Sequence, residues 1–453
     1  MLTVLRHRTY RRLFSAQVIA LVGTGLATVA LSLLAHDIAG PDAGSVLGTA
    51  LAIKMVAYVG LAPVVSALAH RLPPRPVLVG ADLLRASVAC GLPFVTETWQ
   101  VYALILALQA ASATFTPAFQ ALVPEVLPAE ADYTRALSLS RLAYDLEMLF
   151  SPALAAALLS WVTYTWLFTG TAAGFLASAA LVLSAALPTA SRKPADGEPG
   201  FAARATRGTR LFLATPRLRA LLALTLAVAA GGATVMVNTI VYVRDHLGRS
   251  LSDLPLALGT YGAGSILTAL LLPRLLRRAG ERTLMLPAAC ATAGLLLALA
   301  AATRAAPGGW AWPALLITWA AFGATGSLIT TPTGRLVRRS AAPGDLNAAF
   351  AAQFSLSHGC WLLTYLLAGR LGAGAGLSAA ALALGAVALG AALAAWRLWP
   401  APDPGRLTHT HTALAHGHPH LSGAHRAGNG WRHAHVYVID DLHHRWPARA
   451  AAD

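Results

Sequence analysis

Charged residues, lysines and cysteines are scarce in this sequence. Only 12% of the 453 residues are charged and 56% are hydrophobic, which leaves too little polar surface for a water-soluble globule of this size. The three cysteines lie singly in apolar runs without a C-x-x-C pair, so neither a disulfide framework nor dithiol redox chemistry is indicated. Neither lysine, Lys54 or Lys193, follows a glycine as a nucleotide-binding P-loop requires. With no nucleophile and base or metal triad at catalytic spacing, we predict a bilayer protein that is not an enzyme.

Long apolar runs recur from Leu13 to Trp399, most of them close to the roughly 20 residues that a helix needs to cross about 30 Å of hydrocarbon. Backbone polar groups in lipid must be satisfied within the segment, so helices are the default. None of the runs alternates in polarity, which argues against a transmembrane barrel. We predict an all-α polytopic membrane protein with twelve transmembrane helices. Their predicted bounds are 13–36, 46–69, 77–96, 101–123, 137–160, 166–187, 218–242, 254–276, 283–303, 312–334, 348–371 and 375–399.

Basic residues predict the orientation. The amino-terminal segment MLTVLRHRTYRR is basic and leads into an apolar run too long for a signal peptide. Most Lys and Arg residues outside the helices lie on the same side of the predicted topology, which marks that side as cytoplasmic. The outer loops carry only Arg244, Arg249, Arg304 and Arg370. We therefore expect a monomer in a bacterial inner membrane with both termini in the cytoplasm, and the net charge of +15 requires no nucleic-acid partner.

The chain divides into four parts. A basic stretch rich in Pro and Gly, 189–217, is predicted to be a cytoplasmic linker between two six-helix halves, 1–188 and 218–400. Residues 401–453 form a tail that is rich in histidine and is expected to be disordered without metal.

The two halves share landmarks at a nearly constant offset. The segment TPAFQALVPEVLPAE begins at Thr116 and TPTGRLVRRSAAPG begins at Thr331, 215 residues later. The triplet SLS occurs at Ser138 and again at Ser355, an offset of 217. Two related six-helix halves are typical of a rocking transporter whose site lies between them.

On these segments the sequence resembles the major facilitator superfamily over nearly its whole length. The segment PAFQALVPEVLPAE, followed by a helix containing SPALAAALL, is similar to the branch of exporters that includes macrolide and siderophore efflux proteins. The family's loop between helices two and three usually carries a glycine, an aspartate and an arginine, and Ser66, His70 and Arg71 occupy these places here. The missing aspartate calls the family's usual gating salt bridge into question.

The tail holds ten of the fifteen histidines. Several occur as His-x-His, and neutral imidazole is a good ligand for Ni, Co, Cu and Zn. Finger-like spacing is absent, so we interpret the tail as a flexible chelator and not as a structural zinc site. No prosthetic group is predicted. The candidate metal ligands are His409, His411, His416, His418, His420, His425, His433, His435, His443 and His444.

Ionisable residues inside the predicted helices are the candidates for transport, because each costs a few kcal/mol in lipid. Arg141 and Asp145 of helix five are four residues apart and share a face, so they can neutralise each other. Glu147 lies about 200° further round from Asp145 and is the freer carboxylate, either a cation ligand or proton carrier or a structural group. At the 217-residue offset, His358 of helix eleven takes the place of Arg141, and Cys360 follows two residues later.

Imidazole and thiolate suit a transition metal better than an organic drug, although an isolated buried Cys or His is often structural. Asn238 and Tyr242 share one face of predicted helix seven and join the candidates, although amides also hold helices together. The segment FAAQFSLSHGCWLLTYLLAGRLG, preceded by GRLVRRSA, is similar to the nickel-resistance exporters of the superfamily, which also end in histidine-rich tails.

These patterns predict an exporter of Ni²⁺, with Co²⁺ as the next choice, that exchanges the metal for protons across the bilayer. Two alternatives stay open at this point. One is a drug or siderophore exporter whose tail is incidental, and the other is a membrane-anchored protein that binds or senses metal without moving it.

Overall fold

A computed structural model of the chain describes residues 2–39, 43–69, 72–188, 200–401, 403, 406–412, 414, 418–440, 442, 443 and 445–447. Within this part the chain forms fourteen α-helices, and the twelve of 18 residues or more each overlap one predicted membrane helix. The helices are α1 (Arg8–Ala39), α2 (Ala43–Ala69), α3 (Pro74–Gly91), α4 (Thr98–Val126), α5 (Glu130–Leu159), α6 (Tyr164–Ser184), α7 (Phe201–Ala214), α8 (Pro216–Val241), α9 (Leu254–Arg278), α10 (Glu281–Ala302), α11 (Ala311–Thr330), α12 (Thr333–Ser340), α13 (Leu346–Gly374) and α14 (Leu377–Leu398).

Local sequence signals set several helix ends. Proline occupies the first turn of α3 and α8, where its missing N–H costs nothing because that donor has no partner in a helix. At the start of α4 the side chains of Glu97 and Gln100 cap each other's backbone N–H groups. Gly376 separates α13 from α14 with a φ of 88°, a conformation that residues with a Cβ rarely adopt.

Ten helices of the described chain are long and apolar enough to cross a membrane. The set omits α5 and α13, which span 30 and 29 residues and carry the ionisable residues picked out above. Large apolar side chains such as Val56 and Ile317 are 64% and 69% exposed on the bundle, as contact with acyl chains requires. The protein is therefore a multi-pass membrane protein, while the count of twelve spans stays a prediction.

Several pairs of helices join the halves. Helix α5 packs on α9, and α13 packs on α2. At the 217-residue offset α13 is the counterpart of α5, so the two contacts are related by the proposed repeat. The tyrosine ring of Tyr58 on α2 lies 4.8 Å from Phe354 on α13, and Ser355 donates a hydrogen bond to the carbonyl of Val59. These contacts place the polar residues of α5 and α13 at the seam between the halves.

The predicted linker contains a helix that we did not predict from the sequence. Helix α7 buries Leu211 and Phe212 and contacts both α2 and α13. Gly208 lies so close to α13 that an added Cβ would fall 2.0 Å from the carbonyl oxygen of Ala348. The apolar face of this amphipathic segment is buried against the seam, which explains why a basic stretch becomes helical. Residues 189–199 of the linker lie outside the described residues.

The described part of the tail forms a small antiparallel sheet, while disorder of the tail without metal stays a prediction. Its strands are β1 (Leu407–His411), β2 (His425–Ala427) and β3 (Gly430–His435), in the order β1-β3-β2. In the register of β1 and β3, His409 stands opposite His433. The physical reason is the period of the sequence, because His-x-His repeats every two residues and so places its imidazoles on one face of a strand.

Candidate metal centre and transport site

The histidines of the sheet converge on one point. His409 and His411 come from β1, His433 and His435 from β3, and His420 from the turn that precedes β2. Each of these five side chains has a potential ligand atom within 4.8 Å of those of the others. Among the described residues, this is the group of three or more His, Cys, Asp or Glu side chains that is close enough to hold a metal ion.

His443 reaches the same point from outside the sheet. Its Nε2 atom lies 3.0 Å from the Nε2 atom of His409, and the Nε2 atoms of His409 and His411 are also 3.0 Å apart. The other ring nitrogen of His443, Nδ1, lies 2.8 Å from a carboxylate oxygen of Asp440. A carboxylate partner on the far nitrogen of a ligating histidine orients the ring and raises its basicity.

Hydrogen bonds on the Nδ1 side leave the Nε2 atoms free for a ligand. His409 and His435 donate from Nδ1 to the carbonyls of Leu407 and Val436, at 3.3 and 2.8 Å. The Nε2 atoms of His420, His433 and His435 are buried without a hydrogen-bond partner. Orphaned buried nitrogens are costly unless something binds them, and a metal ion at the centre would satisfy all three.

The cluster also favours neutral imidazoles, which is the form that binds metal. Burial, together with the neighbouring imidazoles, lowers the pKa of His409, His411 and His433 to about 4. Of the remaining predicted ligands, those in the described part of the chain do not join the cluster. His418 accepts a hydrogen bond from the backbone N–H of His420, His425 is exposed on β2, and His416 and His444 lie outside the described residues.

In the membrane bundle, Arg141 and Asp145 form the predicted ion pair at 2.8 Å. Ser265 of α9 donates a 2.7 Å hydrogen bond to Asp145 and accepts one from the guanidinium of Arg141. Arg141 and Asp145 thus belong to the amino-terminal half, whereas Ser265, which bonds to both, belongs to the carboxy-terminal half. Sequence reasoning missed Ser265, because a single serine in an apolar helix gives no signal of its partner.

Glu147 has a different environment from Asp145, as their angular separation predicted. It attracts Lys54 of α2, and its carboxylate lies close to Gly25 of α1, where an added Cβ would fall 2.8 Å from it. The Lys54 ammonium lies 5.7 Å from the centre of the Tyr58 ring, and the same ring stacks edge-on against His358 at 4.6 Å. Lys54, Tyr58 and His358 therefore form a polar group between α2 and α13, and Glu147 of α5 interacts with it through the charge of Lys54. We call these four residues the seam cluster.

His358 is anchored within this cluster, whereas Cys360 is not part of it. The Nδ1 atom of His358 lies 2.7 Å from the carbonyl of Phe354, which leaves Nε2 available. Cys360 is half-buried and follows His358 by two residues in α13. Like Asp145 and Glu147, it belongs to no group of three potential metal ligands among the described residues. The bundle therefore offers polar and titratable groups at the seam, but the part that the structure describes shows no ready-made metal site there.

Asn238 and Tyr242 lie inside the carboxy-terminal half, away from the seam cluster. The amide nitrogen of Asn238 is buried without a hydrogen-bond partner beside Gly372, and the hydroxyl of Tyr242 lies 3.1 Å from that of Thr303. Tyr242 and His246 line a pocket at the end of α8. The contact of Tyr242 with Thr303 is typical of a polar residue that holds two helices together.

A second buried ion pair, which we did not predict from the sequence, lies in α3. Asp82 and Arg85 are both buried and bond to each other, while Ser178 of α6 donates to Asp82 at 2.7 Å. The guanidinium of Arg85 stacks 4.3 Å from the centre of the Phe115 ring. The signal was present, since these two residues are the ionisable groups inside an otherwise apolar run and stand three apart.

Ion pairs also join the halves at the end of the bundle near the tail. Arg335 of α12 donates at 2.8 Å to Glu281 in its own half and bonds to Glu130 and Thr134 of α5 in the other. Arg338 donates to the carbonyl of Pro128 at 2.7 Å. This cross-half contact can close the bundle without the aspartate that the family's loop usually supplies. Of the three residues at that loop, Ser66 lies in the described part, beside a small cavity, and His70 and Arg71 lie outside it.

The tail is attached close to this contact. Asp403 bonds to Arg339 of α12 and lies 3.5 Å from Arg217 at the start of α8. The guanidinium of Arg217 stacks 4.9 Å from the centre of the Trp446 ring. Trp446 in turn packs on Tyr437, which contacts the ring of His443 at 4.5 Å. A continuous set of contacts therefore leads from the histidine cluster to α12.

The family model of the Major Facilitator Superfamily matches residues 13–313 and 222–438. The chain therefore belongs to this superfamily of membrane transporters. No curated protein matches the chain.

Solved structures of transporters share the fold at low sequence identity. A bacterial homologue of the iron transporter ferroportin, in an outward-facing state, has a TM-score of 0.71 at 13% identity, covering 86% of this chain and 99% of its own. The human organic anion transporter MFSD10 (TETRAN) has a TM-score of 0.69 at 15% identity, with the same coverage. The Escherichia coli fucose:proton symporter FucP has a TM-score of 0.66 at 14% identity, covering 86% and 98%. At these identities the likeness establishes the fold alone.

Proposed function

We propose that this protein is a secondary active exporter of a divalent transition metal, Ni²⁺ before Co²⁺, that expels the ion from the bacterial cytoplasm in exchange for protons. The observation that carries the proposal is the convergence of tail imidazoles on one point in a chain of the major facilitator superfamily. Neutral imidazole selects borderline transition metals over alkaline-earth ions, which prefer oxygen ligands.

The energetics call for coupling. Moving a divalent cation outward against a potential that is negative inside costs about 4.6 kcal/mol per 100 mV, twice the figure for a single charge. Two protons entering per ion would cancel the charge and add the pH gradient as a driving force. The seam cluster supplies titratable groups for this exchange, since Glu147 can release a proton when a cation approaches and His358 can accept one at Nε2. Asp145, paired with Arg141 and Ser265, holds α5 against α9 while the halves rock.

Transport in inverted membrane vesicles tests the proposal. A pH gradient that is acidic inside should drive uptake of ⁶³Ni²⁺ by the wild type, and Glu147→Gln and His358→Ala should each reduce uptake at least tenfold. Glu97→Gln is the matched control, because Glu97 is exposed at the start of α4 and should leave uptake unchanged. Absence of gradient-driven uptake by the wild type would exclude metal export by proton exchange. Full uptake by both seam variants would exclude the seam cluster as the site of exchange.

Two observations favour a different cargo. The described part of the bundle holds no group of three metal ligands, and a structural neighbour is an organic anion transporter. A drug or siderophore exporter would keep its resistance profile when the chain is truncated after Pro404, whereas a metal exporter would lose tolerance to Ni²⁺. A protein that only binds or senses metal would retain tail binding and show no flux in the vesicles.

A further inference from the structure

Six imidazoles of the tail stand at the corners of an octahedron. An octahedron has twelve edges and three diagonals, so each corner has four neighbours and one opposite. Twelve pairs among the six rings have centroids 4.7 to 5.3 Å apart, and every ring takes part in four of them. The three pairs that make no ring contact are the opposite corners: His409 with His420, His411 with His435, and His433 with His443.

The size of this octahedron matches a metal ion. Two edges that meet at His409, to His411 and to His443, join Nε2 atoms 3.0 Å apart. The centre of a regular octahedron lies at the edge divided by √2 from each corner, which is about 2.1 Å here and agrees with metal–imidazole bonds of about 2.0–2.1 Å.

A hydrogen bond between the neutral rings of His409 and His443 does not account for their close approach. The carbonyl of Leu407 can only accept, so Nδ1 of His409 is the protonated nitrogen and its Nε2 carries a lone pair. Asp440 engages Nδ1 of His443 in the same way, so a neutral His443 directs a second lone pair at the first. Two lone pairs 3.0 Å apart repel each other unless a cation lies between them.

We propose that these six histidines form a mononuclear, six-coordinate centre for one divalent first-row ion, bound in the order Ni²⁺, Co²⁺, Fe²⁺, Mn²⁺. The order is that of the Irving–Williams series. Zn²⁺ prefers four ligands in a tetrahedron and Cu²⁺ prefers a tetragonal set, so neither gains in full from six equivalent nitrogens. The centre thus discriminates by geometry against the two ions that bind imidazole most readily. The role of the bound ion as cargo rests on the proposed function, whereas its coordination rests on the tail alone.

X-ray absorption of the full chain in detergent, loaded with one equivalent of Ni²⁺, tests the coordination. We expect six nitrogen neighbours at about 2.1 Å, and for the Co²⁺-loaded protein the weak visible absorption of an octahedral ion in place of the intense bands of a tetrahedral one. Four or fewer nitrogens, or tetrahedral Co²⁺ bands, would overturn the inference.

Alanine variants at single corners separate this centre from a loose chelator. His443→Ala removes one corner without touching a strand and should lower Ni²⁺ affinity at least tenfold while changing Zn²⁺ affinity much less. His435→Ala removes a corner that belongs to a strand and should lower Ni²⁺ affinity to a similar extent. His425→Ala is the control, since His425 is exposed on β2 outside the cluster. Equal losses for His425→Ala and His443→Ala would contradict a defined centre.

The spectra test the metal coordination and the vesicle assay tests export, so either proposal can fail without the other. Six nitrogens without flux would exclude export and leave the centre in place. Flux with a four-nitrogen spectrum would exclude the centre and leave export in place.

Discussion

Ser265 of α9 donates a 2.7 Å hydrogen bond to Asp145 of α5, so a residue of the carboxy-terminal half satisfies the most buried carboxylate of the opposite seam helix. Asp145 also holds the guanidinium of Arg141, and its side chain is only 3% exposed. The three side chains neutralise and fasten the contact between α5 and α9. This contact must persist or re-form as the halves move.

Substituting Asp145 should destabilise the protein more than substituting Ser265. Asp145→Asn leaves the Arg141 charge without its partner, and breaking a buried pair costs about 3–5 kcal/mol. Ser265→Ala removes a neutral donor and should cost about 0.5–1.5 kcal/mol. Unfolding of the purified protein in detergent measures both. Asp132→Asn, from the more exposed pair with Arg135, is the control, and an equal loss there would contradict the prediction.

Close packing of α9 on α11 should make Gly264 intolerant of a side chain. A Cβ at Gly264 would fall 1.9 Å from the carbonyl oxygen of Ala320, whereas a Cβ at Gly259, in the same helix, meets nothing within 4 Å. We expect Gly264→Ala to reduce the yield of folded protein on size-exclusion chromatography. Gly259→Ala should be neutral or stabilise by up to about 1 kcal/mol, because glycine disfavours helix. Similar yields for the two variants would mean that the helices are not in contact here.

Arg335 should control closure of the bundle near the tail. Arg335→Gln removes the ion pairs to Glu130 and Glu281, so the two halves should separate more readily at this end. A cysteine placed at Leu137, which faces Gly334 across the contact, reports the opening by faster alkylation. Arg278→Gln, at the exposed end of α9, is the control and should leave the alkylation rate unchanged. An unchanged rate in the Arg335 variant would show that other contacts hold the halves together.

The metal-free tail should lose stability as the pH falls below about 6.5, the ordinary histidine pKa. The folded tail holds the pKa of His409, His411 and His433 at about 4, so it binds protons less readily than the unfolded tail. Stability is therefore complete above pH 6.5 and declines as the pH falls through the interval down to about 4. NMR titration of histidine-labelled protein, with free histidine as the internal reference, measures the midpoints. Midpoints close to that of free histidine would show that the rings are not packed together.

Much of the fold could be predicted because the bilayer allows few choices. An apolar run that crosses lipid must be helical, and each of the twelve predicted runs overlaps a helix of the structure. The spacing of Arg141 and Asp145 predicted their ion pair because residues four apart share a helix face. The linker helix α7 was missed because its apolar face becomes buried only against α2 and α13, which are distant in the sequence.

The tail shows the same division more sharply. The number of histidines and their His-x-His spacing determined which class of metal the tail suits, because the donor atoms depend on composition. Strand pairing then decided which histidines can act together: it sets His409 opposite His433 and excludes His425. The sequence by itself determined the chemistry of the donors and the helical passage through lipid, both of which are local properties. Only the tertiary structure decided the octahedral arrangement and the partners at the seam, because these depend on distances between residues far apart in the chain.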